Sequence, residues 1–337
     1  MKVFMVGGTG LLGSEGAAEL IRRGHEVSCI ALPPVPAGAL LPPQMKIEFG
    51  SYMDMTDGEL KKHFQGCEGF VFAAGIDERV EGPPPIYDLF KKFNITPLER
   101  MLCIAKQCGV RHTVICGSYF SYFDKIWPEK QLAKWHPYIR SRRDQEDMAL
   151  KLADDRFDVA VLELPYIFGT QPGRKPVWVF LVEMLRGMKP VTMYPKGGTA
   201  MVTVKQVGQA MAGALEHSKG ASCYPIGWDN MTWRQMLKIV HKYMGCPNKK
   251  IVTIPNWMFA LGVRRIKKRQ EAAGHEGGLD LKKFPDLQSS YQYIDKSLGC
   301  GPLGVEPDDI DAAIGDSIRL CLDVLDGKQE TIGMKGE

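Results

Sequence analysis

A tyrosine and an arginine four residues apart are the groups in this 337-residue chain best suited to move a proton: Tyr138 and Arg142, in the run Tyr138-Ile139-Arg140-Ser141-Arg142. On a helix that spacing puts both side chains on one face. The cation is expected to depress the phenol's pKa from its usual value of about 10, making the hydroxyl usable as an acid or base at neutral pH. Upstream, Ser118 follows the apolar run His112-Thr113-Val114-Ile115-Cys116, where its hydroxyl can hold a reacting oxygen beside the phenol. Groups of this kind move a proton while a nicotinamide moves a hydride.

The N-terminus offers a place for such a carrier. Met1-Lys2-Val3-Phe4-Met5-Val6 is a short apolar strand that runs into Gly7-Gly8-Thr9-Gly10-Leu11-Leu12-Gly13 and then into a helix-forming stretch. Gly7 permits the sharp turn, Gly10 lets backbone approach a pyrophosphate, Gly13 lets the helix pack on the strand, and the helix N-terminus presents free N–H groups. The spacing is G-x-x-G-x-x-G instead of the commoner G-x-G-x-x-G. Its position directly after an N-terminal strand makes it read as a dinucleotide site and not as a structural turn. Gly7, Thr9, Gly10, Leu11, Leu12 and Gly13 are therefore candidate cofactor contacts, with Leu32 at the end of the second strand. An acid there would bind the ribose 2′-hydroxyl and exclude a 2′-phosphate. The stretch Ile30-Ala31-Leu32-Pro33-Pro34 has no acid and no nearby arginine, so NADP is permitted without a partner for its phosphate. The expected cofactor is NADP or NAD, leaning to NADP.

The elements that must position these groups alternate through the first half. Strands are expected at Glu26–Leu32, Lys46–Phe49, Gly69–Ala74, His112–Cys116 and Asp158–Glu163, and helices at Leu11–Arg23, Ile86–Cys108 (adjusted near Pro97) and Tyr138–Ala153. Gly24 reads as the glycine that closes the first helix. Short apolar strands separated by helices predict an α/β fold, a Rossmann-type doubly wound parallel sheet covered on both faces. Residues 1–165 are expected to bind NAD(P), with later strands returning from 190–225. Residues 166–330 are expected to form a smaller, mostly helical substrate lobe, with helices at Val177–Arg186, Lys205–His217 and Trp233–Met244. The basic stretch Val263–Gln270 reads as a solvated helix face, and Gly274–Gly278 as a mobile loop.

Bulk properties bound the partners. A net charge of +4 is too small to argue for nucleic acid, and no apolar run approaches the ~18 residues that span a bilayer. Nine cysteines without a C-x-x-C pair argue against a zinc site or a redox dithiol, and for reduced thiols in a cytoplasmic protein. The seven histidines are scattered and read as structural or exposed, so no metal is expected. Tyr119, Phe120, Tyr122, Phe123, Trp127 and Trp135 make the loop after Ser118 aromatic, either as core packing or as a substrate wall.

Taken in order, Gly7–Gly13, Ala73-Ala74-Gly75, Cys116-Gly117-Ser118, Tyr138–Arg142 and Leu164-Pro165-Tyr166-Ile167-Phe168-Gly169 form a specific set, and over nearly its whole length the chain resembles the extended short-chain dehydrogenase/reductases. That group includes the NAD-dependent epimerase/dehydratases and dihydroflavonol-reductase-like enzymes. The resemblance implies Ser118 and Tyr138 as the catalytic pair. It sets Ala73, Ala74, Gly75, Pro165, Tyr166 and Ile167 against the cofactor, and it implies a homodimer formed through the helices containing Ile86–Cys108 and Tyr138–Ala153.

The chain departs from the family pattern at three places. Arg142 stands where the family has lysine, and is expected to position the ribose and tune Tyr138. Ser51, followed by Tyr52, stands where many members place an adenine-binding aspartate. Tyr119-Phe120 stands where the sugar-nucleotide dehydratases carry an acidic pair, which argues against dehydration. In addition, Gly197–Val202 lacks the arginine that members set against sugar-nucleotide phosphates.

The expected activity is hydride transfer between a nicotinamide and a carbonyl or alcohol carbon of a largely uncharged, ring-containing small molecule. Nucleotide-sugar epimerisation and a non-catalytic dinucleotide-binding sensor are the alternatives.

Overall fold

The first six residues already fix the centre of the protein. In Lys2–Val6 (β1), Val3 and Met5 belong to one core and Phe4 and Val6 to another, all without exposure. A strand buried on both faces belongs in the middle of a parallel sheet. The structure, a computed structural model, describes residues 1–35 and 37–332. Pro36, in the proline-rich loop after the second strand, lies outside the described residues.

Six further strands join β1: Glu26–Ala31 (β2), Lys46–Phe49 (β3), Gly69–Phe72 (β4), His112–Cys116 (β5), Asp158–Glu163 (β6) and Ala221–Pro225 (β7). The order is β7-β6-β5-β4-β1-β2-β3 and every pairing is parallel. Helices Leu11–Arg22 (α1) and Val204–His217 cover one face, packed so closely that a Cβ on Gly208 would lie 2.9 Å from the Glu15 carbonyl oxygen. Asp57–Phe64 and Thr96–Gln107 cover the other face. This is the expected doubly wound Rossmann-type sheet. The topology reverses at β1, so the C-terminal ends of β1 and β4 open a crevice where such sheets bind ligands.

The second lobe is more mixed than its sequence suggests. Helices Val179–Gly187, Trp233–Tyr243, Asn256–Ala272 and Ile310–Leu325 accompany a small sheet in which Gly198–Thr203 pairs with Asp229–Thr232, Tyr166–Phe168 and Tyr291–Gln292. Its core gathers Phe168, Trp178, Trp233, Leu237 and Ile314. The exposed Arg264, Arg265, Lys268 and Arg269 form the solvated face expected of the basic stretch. Among the described residues no helix is long and apolar enough to cross a membrane.

Two local expectations are corrected. The segment after Ser118 is a helix, Tyr119–Ile126 (α2), because Ser118 caps it and Tyr119, Phe120 and Phe123 bury one side of it. The segment Gly274–Gly278 is tied down, although its glycines suggested mobility: Glu276–Gly277 pairs with Glu81–Gly82, and the Gly278 carbonyl accepts a hydrogen bond from Tyr138 N at 2.9 Å. The glycine serves close approach there, since a Cβ on Gly278 would stand 2.7 Å from the Glu78 carbonyl oxygen.

Candidate active site

The glycine turn, Ala73–Gly75, Ser118 and Pro165–Ile167 follow β1, β4, β5 and β6 respectively, so a parallel sheet delivers all four to one edge. Gly7 has a φ of +87°, and a Cβ on it would meet the Ala73 carbonyl oxygen at 2.4 Å. A Cβ on Gly13 would lie 2.1 Å from the Gly7 carbonyl oxygen. Gly10 is different. Its φ of −78° suits any residue, and its nearest obstacle is at 3.2 Å. The fold needs glycine strictly at 7 and 13, whereas close approach of a ligand is what would need it at 10. Helix α1 begins immediately after, with no side-chain cap and no acid in its first turn, so its N–H groups are free to meet an anion. These residues fit the diphosphate of a dinucleotide. Leu32 is partly exposed past the end of β2, and Ser51 and Tyr52 follow β3, Tyr52 with its ring edge on Phe72.

At the other end of the crevice, helix Pro137–Leu150 (α3) places Tyr138 and Arg142 on one buried face, and Arg142 Nε donates to Tyr138 Oη at 3.1 Å. Burial outweighs the cation: Tyr138 is raised above the ordinary phenol range, with Arg142 offsetting only part of the shift. This reverses the depression expected from the sequence, which shows the cation but not the depth of burial. Ser118 Oγ accepts from Phe120 N at 3.3 Å as the cap of α2, and Phe120 packs edge-on against the Tyr138 ring. Tyr119, Phe120, Phe90 and Tyr138 share one apolar cluster, while Trp135 lies partly exposed outside it.

Four further groups carry no local signature in the sequence. Arg142 Nη1 donates to Gln145 Oε1 at 2.9 Å, and Gln145 Nε2 donates to the Asn94 carbonyl at 2.5 Å. Asn94 sits in a π-helical turn, Lys91–Ile95, and its amide both accepts from Ile76 N at 2.8 Å and donates to Ile76 O at 3.0 Å. This chain of bonds fixes the loop after β4 to the arginine. Asn94 is fully buried, which only the fold reveals. Glu78 lies in the same loop, and burial, with Asp77 nearby, pushes its carboxyl up to about 7. Its charge bears on Tyr119, Tyr138 and Tyr166. Arg174, from the second lobe, reaches the glycine turn: Nη2 donates to the Thr9 carbonyl and hydroxyl at 3.3 and 3.4 Å.

His136 precedes Tyr138 as the cap residue of α3 and is buried, its pKa lowered to about 4 by desolvation. Its Nδ1 accepts from Asp280 N at 3.0 Å, a second tie between the C-terminal segment and the start of α3. Among the described residues no three His, Cys, Asp or Glu gather as a metal site.

A sequence model described as the NAD dependent epimerase/dehydratase family matches residues 3–227. A putative dihydroflavonol 4-reductase of Synechocystis sp. is 21% identical over 330 residues, covering 94% of this chain and 93% of that protein. Two solved structures share the fold. PA4631, a nucleoside-diphosphate-sugar epimerase from Pseudomonas aeruginosa, superposes with a TM-score of 0.69 at 15% identity, over 96% of this chain and 98% of that one. The Bordetella bronchiseptica enzyme WbmH in complex with NAD+ gives 0.66 at 17% identity, over 95% and 97%.

Proposed function

Because the chain belongs to the NAD-dependent epimerase/dehydratase family, a class of oxidoreductases and epimerases, we propose that it is an NAD(P)-dependent reductase acting on a carbonyl carbon of a largely uncharged cyclic substrate. The bond from Arg142 Nε to the buried Tyr138 Oη carries this reading. With Oη already accepting from the guanidinium, the phenol's own proton is directed away from Arg142 and can be donated. A raised phenol stays protonated at neutral pH, which suits donation to a nascent alkoxide and hence the reductive direction. Ser118 Oγ accepts from Phe120 N, leaving its O–H to hydrogen-bond the same substrate oxygen. A bound dinucleotide supplies the hydride.

Gly7, Thr9, Gly10, Leu11, Leu12 and Gly13 would hold its diphosphate. Leu32, Ser51 and Tyr52 would flank the adenosine, and Ala73–Gly75 with Pro165–Ile167 would line the nicotinamide side. Glu78, when ionised, adds to the raising of Tyr138 and so helps keep the phenol protonated. Residues 1–165 with β7 would form the cofactor part and 166–330 the substrate lobe. A homodimer through α3 and the helices over 87–107 belongs to the same reading. The nine unpaired cysteines suit a reducing, cytoplasmic setting.

The aromatic surroundings of Tyr138 favour an apolar ring. Strand Gly198–Thr203 is buried throughout and offers no cation to a sugar-nucleotide phosphate. The competing reading, epimerisation of a nucleotide sugar, draws on the nucleoside-diphosphate-sugar epimerase that shares the fold. A turnover screen with both cofactors against cyclic ketones and common nucleotide sugars separates the two. Activity on cyclic ketones is expected, and activity confined to nucleotide sugars would restore the epimerase.

A further inference from the structure

The sequence around the end of β2 supplies neither an acid for the ribose 2′-hydroxyl nor an arginine for a 2′-phosphate. The fold brings an arginine to the neighbouring glycine turn from 165 positions away. Arg174 leaves the loop after Tyr166–Phe168 and places Nη2 3.3 Å from the Thr9 carbonyl oxygen and 3.4 Å from its hydroxyl. The same loop touches the segment after β2: a Cβ on Gly38 would stand 3.8 Å from Pro172 Cβ. The guanidinium therefore lies on the glycine turn, and Pro172, two residues before it, lies against the post-β2 loop; these two segments flank the adenosine ribose in a doubly wound sheet.

Its bonding there is incomplete. Nε is buried with no hydrogen-bond partner, and among the described residues no acidic side chain pairs with Arg174. Desolvation, with no carboxylate to offset it, lowers its pKa. A buried guanidinium donor without an acceptor is costly unless an anion completes it. The two bonds it does make are long and go to neutral oxygens of the turn, which leaves most of the planar fork free for a phosphate.

We propose that Arg174 is the 2′-phosphate-binding residue of the cofactor site, so that the second lobe, and not the β2 turn, sets the choice of NADP over NAD. This rests on the NADP reading given above. Arg174 holds the phosphate by charge-assisted hydrogen bonds while Thr9 keeps the guanidinium in place.

Equilibrium titrations by protein fluorescence test this without turnover, using NADP and NAD, and adenosine 2′,5′-bisphosphate and AMP as probes that lack nicotinamide. Wild-type protein is expected to prefer the 2′-phosphorylated member of each pair. Arg174→Ala should weaken NADP and the bisphosphate by about 10- to 100-fold and leave NAD and AMP within about threefold. Arg174→Lys, with the charge but not the fork, should keep part of the preference. The NAD and AMP affinities report on folding, since a disrupted site would lose these as well. Wild-type preference for NADP that survives unchanged in Arg174→Ala overturns the assignment while leaving the cofactor reading intact. So does equal loss of both dinucleotides with a native circular dichroism spectrum, which would place the arginine on the shared part of the cofactor. A wild-type preference above tenfold for NAD removes the cofactor reading and the assignment together.

Discussion

The glycine-turn end of the crevice is made by consecutive residues and mostly by backbone: residues 6–13 turn tightly enough to fill the places of side chains at Gly7 and Gly13 and expose N–H groups at the start of α1. The Tyr138 end is made by side chains from distant segments. Tyr138 leans on Arg142, which leans on Gln145, Asn94 and the loop at Ile76, while Gly278 and Asp280 bond to the start of α3 from the far end of the sequence. A backbone site is specified locally, and few changes elsewhere reach it. A relayed side-chain site is only as firm as each of its links, and a change at any of them reaches the phenol.

The sharpest break of this contrast is Gly10→Val. It should abolish measurable dinucleotide binding while circular dichroism stays native, because its φ is ordinary and a Cβ there asks the Gly7 carbonyl to give by only a few tenths of an ångström. Gly13→Val should instead cost the fold. Retained affinity in Gly10→Val would remove the glycine turn as the cofactor site.

Tyr138→Phe comes next. Turnover should fall by about 10²-fold or more, with dinucleotide affinity within about twofold, since only a hydroxyl at the other end is lost. A variant that reduces substrate at the parent rate would exclude Tyr138 as the acid.

The pH dependence of stability probes the packing around that end. Burial lowers the His136 pKa to about 4 from the ordinary imidazole value of 6.5, so between these values the unfolded chain binds a proton that the folded chain does not. Its contribution is complete above 6.5 and is lost as pH falls to about 4, a decline of about 3 kcal/mol. Urea midpoints measured across this window should fall for the parent and stay flatter for His136→Gln. Parallel slopes in the two proteins would rule out His136 as the source.

The smallest effect is expected from Arg142→Lys. If charge beside Oη is what matters, activity stays within about tenfold, whereas Arg142→Met loses considerably more. Equal losses in the two variants would show that the fork toward Gln145 and Ile76 is itself required.

The same division explains what could be read from the chain before it was seen folded. Strands such as Gly69–Phe72 and His112–Cys116 announce themselves as apolar runs, and the glycine turn as a fixed spacing, because both are local. The i, i+4 pair Tyr138–Arg142 is local too, and it meets as expected. What the pair does to the phenol was not legible, because desolvation is a property of everything packed around it. Asn94, Glu78 and Arg174 acquire their places only through contacts across many residues. The Gly274–Gly278 stretch shows the opposite failure: a composition that signals flexibility is used for tight contact against Glu78 and Phe90.

That stretch also orders events in time. All seven strands of the main sheet, the helix that packs on α1 and the arginine that bonds to Thr9 have left the ribosome once Pro225 has emerged. The bonds that Gly278 and Asp280 make to Tyr138 and His136 must wait for another fifty residues of synthesis. A growing chain thus completes the glycine-turn end of the crevice well before it completes the surroundings of Tyr138, and on the proposed function binding capacity would precede chemistry.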